Sequence, residues 1–594
     1  MKKKFLCLFL VMMMLVTVLA SCSSNEDNLG EELEENQARL TKTLVMYMMS
    51  EEKVATAVEV EIEEAINELT KAKFKTQIDL KFFTPDEYYK KLETAIKEQE
   101  KEYNKKKKEE QEVKDYNQYL KESCVAAGLP VVTVKPAATT AAATEDETIY
   151  NKEYGILEYK YPETTANQVN IFYLGGYEKY SEYVDNDWLE GLDSEVEYTS
   201  KKLKEHIPAV YMENLAAAGI YGIPNNSLIG NYKWLLLNKE LMTKYIYEEN
   251  AISNIDPITD AQLGYFLKDV AAGERDANGN LLVRPIAGEL EPTNMFYWSY
   301  DENLDCLVNK PSILGTYCNN NAALGTELVV RSIFEDTKYT SQLTKIQEFK
   351  DAGYFAEDAD SNLPFAMSIV EGSFDLKNKY EQEGYYVKMV EAPKVDNTQI
   401  YDNMFCISRF ASLADTDNTK RCMEIITYID TNEEIRNLLQ YGIEDKHYTI
   451  DSEGVLNRIE SAGYVMDINK TGNIFMAHPE DGMPADFWDQ VGMDHCENLQ
   501  INPTSGFVFD SSVDGDVDSF VRLIGKTNEY MEKLNNCKNL EELTAEINNI
   551  KAILKADSDY IKVTKPLEPE IGQAGSLAYL YQRWLIDNGY VEAT

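Results

Sequence analysis

The residues best suited to bind a small polar molecule follow directly on three apolar runs of strand length. The runs cover residues 43–49, 167–174 and 221–224. In open parallel sheets, ligands lie just beyond the carboxyl ends of the strands. Glycine lets the backbone approach a ligand closely, while amides, hydroxyls and carboxylates form hydrogen bonds with polar groups. The candidate contacts at these strand ends are Ser50, Glu51, Gly175, Gly176, Tyr177, Asn225 and Asn226.

A second group of candidates is aromatic. Within residues 294–298, Asn294, Tyr297 and Trp298 combine an amide with two flat rings. Flat apolar ring faces are what a sugar ring would stack on, and Trp234 and Trp488 are supporting rings elsewhere in the chain. Because the chain holds 39 Tyr and 5 Trp, core packing is the alternative interpretation of each ring.

Recognisable catalytic motifs are missing from the sequence. The histidines are His206, His447, His478 and His495, and no pair has the HExxH spacing of a zinc hydrolase. His495 precedes Cys496 directly, and adjacent residues seldom face each other, so packing is favoured over a nucleophile pair. Acidic pairs of the kind that glycosidases use are too numerous for one to be selected. We therefore expect neither an enzyme nor a cofactor.

The segment 510–518 has the pattern of the front half of a calcium loop. Oxygen-bearing side chains alternate there, and glycine occupies the sixth position. The twelfth position, where a bidentate glutamate belongs, is Val521. An acidic surface turn is the favoured interpretation, and the candidate calcium ligands are Asp510, Ser512, Asp514, Asp516 and Asp518.

The first 22 residues carry the features of a secretory leader. Three lysines precede an apolar run over residues 5–19. That run is shorter than the about 20 residues that span a bilayer, so it predicts a signal peptide over 1–21. The sequence LASC at 19–22 resembles the bacterial lipobox, in which the cysteine, here Cys22, becomes the first mature residue and carries lipid such as palmitate. An ordinary signal peptide beside an unrelated cysteine is the alternative.

Charge and cysteine content narrow the class of partner. The formal net charge is −44, which repels nucleic acid and anionic lipid headgroups.

The cysteines do not have the pattern of a disulfide framework. When Cys7 and Cys22 are left out, an odd number of cysteines remains, and no two of them form a CxxC pair. Cys306 and Cys318 are near enough in sequence to pair across a loop, and free buried thiols are the alternative. The other remaining cysteines are Cys124, Cys406, Cys422, Cys496 and Cys537.

The elements that must position the first candidates form an α/β pattern. An acidic tether over 22–40 precedes the apolar run 43–49, which is typical of a buried parallel strand. Ser50 is placed to cap a helix, and residues 78–82 alternate as a second strand. Pro85 then begins a second helix. This order predicts a right-handed parallel crossover and an α/β fold.

The second helix leads into an unusual segment. Between residues 97 and 115, 14 of 19 residues are charged, seven of each sign, and four lysines stand together at 105–108. Because the acids cancel the lysines, a solvated projecting helix is favoured over a polyanion site. Residues 129–148 are rich in Ala, Thr and Pro and predict a flexible linker. We treat 98–150 as an insertion.

The α/β pattern resumes beyond the insertion. Strands are predicted to end near 174, 226 and 237, with a helix beginning near Lys239 and a turn at 276–280. A capped helix is predicted over 418–430, and the last 80 residues look mainly helical.

Several segments point together to one family. They are the leader, the first strand and residues 154–162, 167–176, 221–226, 236–240 and 441–448. In this order they resemble the extracellular solute-binding lipoproteins of bacterial ABC importers, of the family 1, sugar-binding type. The resemblance covers most of 41–594 and leaves out 98–150. Asn170 stands where such proteins usually carry aspartate, so no role is transferred to it.

The resemblance implies two hinged α/β lobes of the periplasmic-binding-protein type, with a ligand held in the cleft between them. Lobe 1 would begin with 41–225, and lobe 2 would span 226–400. The segment 401–594 would return to lobe 1, with a mainly helical C-terminal region packing across both lobes. Crossovers between the lobes are expected near 225–232 and 393–403.

The same resemblance implies a monomeric binding protein that captures a small solute, a carbohydrate by expectation, and delivers it to ABC permease subunits. It would work on the extracellular face of the cell membrane, held by the lipid on Cys22. A peptide or another small polar solute stays open as cargo. Two other functions stay open: a non-transport adhesion lipoprotein, which the 98–150 insertion favours, and a secreted glycan-cleaving enzyme.

Overall fold

The computed structural model describes residues 39–127, 148–151, 156–159, 161–198, 201–207, 219–248, 258–302, 306–317, 329–355, 362–396, 398–415, 417–502, 516–566 and 575–587, together with Tyr211, Met212, Leu215, Asp256, Thr504, Phe507 and Phe509. Within these residues the chain forms two α/β lobes, each built on its own sheet, and a C-terminal group of helices.

Lobe 1 is built on a five-stranded sheet. Its strands are β1 (Lys42–Met49), β2 (Thr76–Phe83), β5 (Ile171–Leu174), β6 (Gly222–Pro224) and β16 (Met404–Ile407). The strand order is β2-β1-β5-β16-β6. β1 pairs in parallel with β2 and β5, which confirms the predicted parallel arrangement, while β16 runs antiparallel to β5 and β6. A separate antiparallel hairpin is formed by β3 (Thr148–Asn151) and β4 (Ile156–Tyr159).

Helices cover both faces of this sheet and share one apolar core with it. They are α1 (Thr56–Phe74), α2 (Pro85–Ala127), α3 (Tyr177–Asp185), α4 (Asp193–Tyr198), α5 (Lys201–His206), α10 (Arg409–Ala414), α11 (Asp417–Thr431) and α12 (Glu433–Tyr441).

The helix predicted to begin at Ser50 begins later, at Thr56. Ser50 is fully buried, and its backbone N–H donates to the carbonyl of Phe83 at the end of β2. Glu51 likewise donates its N–H to the carbonyl of Val465. These bonds keep residues 50 and 51 along the sheet edge, so the chain turns into α1 only after Ala55.

The charged segment is the outer part of α2. The first turns of this helix bury Tyr88, Leu92, Ala95 and Ile96 on lobe 1, and residues 104–112 are exposed. A helix of 43 residues is about 64 Å long at 1.5 Å per residue, so its outer part projects from the lobe. The helix is continuous through residue 98, so the predicted insertion begins within an element. The predicted linker lies outside the described residues up to 147.

Lobe 2 is built on a four-stranded sheet. Its strands are β7 (Tyr232–Asn238), β8 (Arg284–Ala287), β13 (Phe365–Gly372) and β14 (Tyr385–Glu391), in the order β14-β7-β13-β8. Its helices are α6 (Lys239–Lys244), α7 (Ala261–Gly273), α8 (Thr337–Asp351) and α9 (Asp375–Gln382). Small ladders join β9 (Met295–Tyr297) to β12 (Gly315–Tyr317) and β10 (Ser299–Asp301) to β11 (Cys306–Val308).

Two segments carry the chain between the lobes, at 225–231 and 392–403, where the sequence places the crossovers. They lie against each other. A Cβ added at Gly230 would be 2.8 Å from the carbonyl oxygen of Lys394, and the positive φ of +75° also suits glycine. The second crossover contains β15 (Lys394–Val395), which pairs in parallel with β19 (Gln500–Ile501).

The remainder of the chain does not return wholly to lobe 1. Residues 410–439 complete the core of lobe 1, but residues 441–491 pack on the lobe 2 sheet. The later elements are β17 (Tyr448–Ile450), β18 (Leu456–Arg458), α13 (Phe487–Asn498), α14 (Val517–Ile524), α15 (Thr527–Asn535), α16 (Leu540–Ala556), α17 (Ser558–Thr564) and α18 (Leu577–Asp587). Within the described residues, α14–α18 share a core with 295–339 and so pack on the lobe 2 side rather than across both lobes.

Candidate functional site

The candidate site is a cavity of about 280 Å³ where the two lobes and their crossovers meet. The first crossover, the end of β13, the segment 468–474 and the helix α13 all contribute to its wall. Its lining residues are Leu228, Ile229, Gly230, Asn231, Tyr232, Ser373, Phe374, Asp375, Pro393, Ile468, Asn469, Ile474, Met483, Phe487, Trp488 and His495.

One wall of the cavity is aromatic and belongs to lobe 2. Phe374 lies between Tyr232 and Phe487, with ring centroids 5.7 and 6.1 Å away. Trp488 packs edge-on against Phe487 at 4.9 Å. Its indole N–H donates to the carbonyl of His478, which satisfies the polar end of the ring. These rings are only 2 to 8 % exposed, but unlike Trp298 they line the cavity, which gives a sugar ring an apolar surface to stack on.

A second part of the lining, the segment 468–474, adjoins lobe 1. Asn469 lines the cavity, and its carbonyl accepts a 2.9 Å hydrogen bond from the Asn225 side chain. Lys470, the next residue, forms a 2.6 Å ion pair with Glu51 and a 3.4 Å ion pair with Asp467. The loop that carries Asn469 is therefore tied to the strand ends of lobe 1.

Three residues predicted from the strand ends keep unused hydrogen-bonding capacity. Ser50 Oγ, Asn225 Oδ1 and Asn226 Oδ1 are buried and form no hydrogen bond within the described part of the chain. Buried polar atoms are normally paired, so these unpaired oxygens at the strand ends of lobe 1 are unusual. Of these strand-end candidates, Asn225 and Asn226 form hydrogen bonds with the segment 468–474 and Glu51 pairs with Lys470 in it, but none of the four, Ser50 included, lines the cavity.

Gly175, Gly176 and Tyr177 lie on the same edge of the lobe 1 sheet but do not line the cavity. Gly176 has a φ of +92° and precedes α3, and its N–H donates to the carbonyl of Tyr401. The ring of Tyr177 packs 5.0 Å from that of Tyr401 in the second crossover. These residues therefore hold the crossover against lobe 1.

The aromatic group at 294–298 lies away from the cavity, within lobe 2. Trp298 is only 2 % exposed, its ring packs 4.7 Å from Tyr581, and its indole N–H donates to Thr316. It is a core residue and offers no free ring face in this conformation. Asn294 is fully buried with its side chain on the carbonyl of Val390, and burial raises the pKa of Tyr297.

Sequence reasoning missed the aromatic wall apart from Trp488, which was named only as a supporting ring. Ser373, Phe374 and Asp375 follow the apolar run of β13 directly. The rule that selected Ser50 after β1 therefore applies to them equally. Phe487 and Asn469 stand in irregular or helical surroundings, where no strand-end rule finds them.

Asp402 is a further acidic group in the second crossover. The hydroxyl of Tyr173 donates to the Asp402 carbonyl and to Asn403 Oδ1, which fixes this turn against lobe 1. The Asp402 side chain reaches solvent but is partly enclosed by protein. That enclosure, with the nearby Asp396, raises the pKa of Asp402 to about 6.

His495 is the one imidazole in the cavity wall. It is 1 % exposed, and burial lowers its pKa to about 4, so it is neutral near pH 7. Its Nε2 lies 3.3 Å from the hydroxyl of Tyr211. The side chain of the adjacent Cys496 lies outside the description, so the contrast between packing and a nucleophile pair stays a prediction.

No cluster of three or more metal-ligating side chains occurs among the described residues. Asp510, Ser512 and Asp514 lie outside them, while Asp516 caps α14 by accepting from the Ser519 N–H. Asp518 lies in the first turn of the same helix. Cys22 and Cys318 lie outside the described residues, and Cys124 is described only as part of the backbone of α2, whereas Cys406 and Cys422 are buried free thiols. No helix of the described ranges is long and apolar enough to cross a membrane.

The two lobes, the crossovers and the cavity between them define the two-lobe periplasmic-binding-protein class of fold. The chain shares this fold with sugar-binding proteins of ABC importers. The N-glycan transport solute-binding protein NgtS from Streptococcus pneumoniae is 15 % identical with a TM-score of 0.52, over 92 % of this chain and 100 % of that one. A solute-binding protein of Bifidobacterium longum infantis, described as binding human milk oligosaccharides (HMO), is 11 % identical with a TM-score of 0.45, over 92 % and 99 %. No protein-family model and no curated protein matches the sequence.

Proposed function

We propose that this protein is an extracellular solute-binding protein that captures a carbohydrate between its lobes and passes it to an ABC import permease. The observation that carries the proposal is the cavity at the crossovers, where aromatic rings of lobe 2 stand beside amide, hydroxyl and carboxylate side chains. Sugars present both kinds of surface, since their ring faces are apolar and their edges carry hydroxyl groups.

Capture follows from the way the lobes are joined. Only a few backbone segments connect the two sheets, so rotation about the crossovers 225–231 and 392–403 can open and close the cavity. Closure would bring the rings of Phe374 and Trp488 onto a sugar face and the side-chain oxygens of Asn231 and Asp375 onto its hydroxyls. Excluding water from these bonds strengthens them. No part of this process requires a covalent step, so the proposed role is binding rather than catalysis.

The direct test is a thermal-shift screen followed by calorimetry of the chain from residue 39 onward. The panel contains neutral mono- and oligosaccharides, peptides and polyamines. Free ligand at 100 times its dissociation constant stabilises a one-site protein by about 2.7 kcal/mol, which is a readily measured shift. A shift with one sugar class supports the proposal. A shift with peptides or polyamines alone contradicts carbohydrate capture.

Pocket variants connect any binding to this cavity. Asn231→Ala and Phe374→Leu should each weaken the sugar at least about tenfold, because each removes a lining group. Asn549→Ala is the matched control, since Asn549 is exposed on α16 and does not line the cavity. Equal affinities for all three variants would place the sugar elsewhere.

Membrane attachment through lipid on Cys22 is the second part of the proposal, and the leader sequence supports it. Replacing Cys22 by serine should move the protein from the membrane fraction to the culture medium. More than one acyl chain is needed for stable attachment, so the loss should be nearly complete. Unchanged membrane association of Cys22→Ser would contradict the lipid anchor.

Adhesion without transport is the second candidate function, and the projecting outer part of α2 favours it. The two functions differ in lobe closure. An importer component closes on its solute, which small-angle scattering detects as a smaller radius of gyration. An adhesion protein has no need of this change.

A further inference from the structure

The charged groups around the cavity are distributed very unevenly. Among the lining residues, Asp375 is the one carboxylate and His495 the one imidazole, and no lysine or arginine lines the cavity. Burial keeps His495 neutral near pH 7. The lining itself therefore carries negative charge and no positive charge.

Two lysines that directly follow lining residues, Lys470 and Lys394, already have acidic partners. Lys470 is held by Glu51 and Asp467 at 2.6 and 3.4 Å. Lys394 is held by Glu391 at 2.7 Å, and its ammonium group also donates to the carbonyl of Met295. A bound anion would have to displace one of these carboxylates to obtain a counter-charge.

One more cation lies behind the aromatic wall. Lys377 sits over the ring of Phe374, with its ammonium 5.7 Å from the ring centroid, and it does not line the cavity. The chain as a whole carries −44. The charge of the cavity lining and the net charge of the chain therefore both disfavour an anionic ligand.

We infer that the cavity selects uncharged sugar units and rejects sugars that carry a carboxylate, sulfate or phosphate on the bound units. This inference rests on the proposed function and specifies its substrate class. An anion in the cavity would lose hydration without gaining a counter-ion, which is strongly unfavourable. A neutral sugar avoids that cost, because its hydroxyls can donate to the carboxylate of Asp375 and to the side-chain oxygens of Asn231 and Asn469, which line the cavity.

A cationic solute is less well matched than a neutral one. Asp375 is exposed, and its carboxylate already accepts a hydrogen bond from the Ser373 hydroxyl. It also lies in the first turn of α9, where the helix dipole offsets part of its charge. The cavity thus has no buried carboxylate available to fix an ammonium group.

The test compares pairs of glycans that differ only in charge. Each pair consists of a neutral oligosaccharide that binds in the thermal-shift screen and the same oligosaccharide with its terminal unit oxidised to a uronic acid. Calorimetry should give the acidic glycan a dissociation constant at least about tenfold higher than that of its neutral parent. The ratio of the two constants should be larger at low than at physiological ionic strength. Asp375→Asn should reduce the difference several-fold. Glu122→Gln, a charge change on the exposed outer part of α2, should leave it unchanged.

Equal or tighter binding of the acidic glycan would overturn the inference while leaving carbohydrate capture intact. So would acidic binding that Lys377→Ala abolishes, because Lys377 would then supply the missing counter-charge. Binding of neither glycan overturns the proposed function itself and the inference with it. Selective binding of an amino-sugar analogue over the neutral parent would also overturn the inference.

Discussion

Ser50 is the residue at which binding and stability should change in opposite directions. Its hydroxyl is buried without a hydrogen-bond partner in the described residues, which costs about 1–3 kcal/mol. Ser50→Ala should therefore leave the free protein equally stable or about 1 kcal/mol more stable. If a ligand hydroxyl forms a hydrogen bond with the Ser50 hydroxyl, the same change should weaken binding several-fold. Chemical unfolding and calorimetry measure the two effects.

A matched control for Ser50 is Ser412→Ala in α10. Ser412 is also buried, but its hydroxyl donates to the carbonyl of Ser408. Its loss should lower stability slightly and leave the ligand affinity unchanged. A loss of stability in Ser50→Ala would contradict the view that this hydroxyl lacks a partner in the free protein.

Asp402 should make stability depend on pH. Enclosure and Asp396 raise its pKa to about 6 in the folded protein, while an unfolded aspartate titrates near about 4. Between about pH 4 and 6 the folded state binds the extra proton, so its contribution to stability falls as pH rises. Asp402→Asn removes this effect. The variant should melt a few degrees higher than the parent at pH 7.5, and the gain should shrink toward pH 4.5.

The control for Asp402 is Asp115→Asn on the exposed outer part of α2, which should show no such pH-dependent difference. A constant difference between Asp402→Asn and its parent across this range would show that the carboxyl is fully solvated in the folded state.

The sequence predicts the strand ends of lobe 1 better than the surroundings of the aromatic residues. Ser50, Asn225 and Asn226 follow strands, and strand ends of a parallel sheet meet at one edge, so a local rule finds them. Trp298 shows where this kind of reasoning fails. Its neighbourhood looks like a binding cluster, but the helices α14–α18 cover it, and no local pattern reveals which distant helix will cover a ring.

At the scale of elements, α12 determines the shape of the cavity loop 466–476. Three polar side chains of this helix donate hydrogen bonds to backbone carbonyls of the loop. Arg436 donates to the carbonyl of Ile468, Asn437 to that of Met476, and Gln440 to that of Met466. Gln440 also accepts from the hydroxyl of Thr471. The loop has little regular structure of its own, so these side chains position Ile468, Asn469 and Ile474 in the cavity wall.

Gln440→Ala should therefore weaken the ligand without any contact to it. Two buried hydrogen bonds are lost, at about 1 kcal/mol each or more, and the loop becomes mobile. We expect the dissociation constant to rise about five- to tenfold. Gln440→Glu keeps the shape and the acceptor, so partial rescue is expected. Calorimetry of both variants, with hydrogen exchange of residues 466–476, makes this measurement.

Gln490→Ala on the exposed side of α13 is the control for a lost helix amide, and its affinity should equal that of the parent. Faster exchange of the loop in Gln440→Ala with an unchanged dissociation constant would show that the loop does not contribute to binding.

Element order is the part of the fold that the sequence predicts most completely. The runs at 43–49, 78–82 and 234–237 are all strands in the structure, because continuous or alternating apolar patterns specify burial directly. The predicted start of α1 was wrong by five residues, because the N-cap is Ala55 rather than Ser50. Backbone hydrogen bonds from Ser50 and Glu51 to distant carbonyls overrode the local capping preference at Ser50.

At the scale of the whole molecule, the packing of the C-terminal helices could not be predicted from the sequence. Their amphipathic patterns predict helices but do not say which lobe they cover. In the structure, α14–α18 add their core to residues 295–339 of lobe 2. Lobe 2 thereby becomes the heavier lobe, and motion about the crossovers moves this whole unit relative to lobe 1.

Gly230 should control that motion. It lines the cavity and lies where the two crossovers touch, so a Cβ there would be 2.8 Å from the Lys394 carbonyl oxygen and 3.0 Å from its nitrogen. Gly230→Ala must push the crossovers apart or shift them. We expect weaker ligand binding, because the closed state becomes less populated and the apparent affinity falls with that population. Small-angle scattering should show a smaller contraction on adding ligand.

The positive φ of Gly230 complicates this variant, because alanine there costs about 1–2 kcal/mol by itself. Gly353→Ala separates the two effects. Gly353 has a nearly equal φ of +72° but no atom within 4 Å of an added Cβ. It should therefore lose stability by a similar strain and keep normal closure and affinity. If both variants bind and contract alike, contact between the crossovers does not govern closure, and the pivot must lie elsewhere in the connections between the lobes.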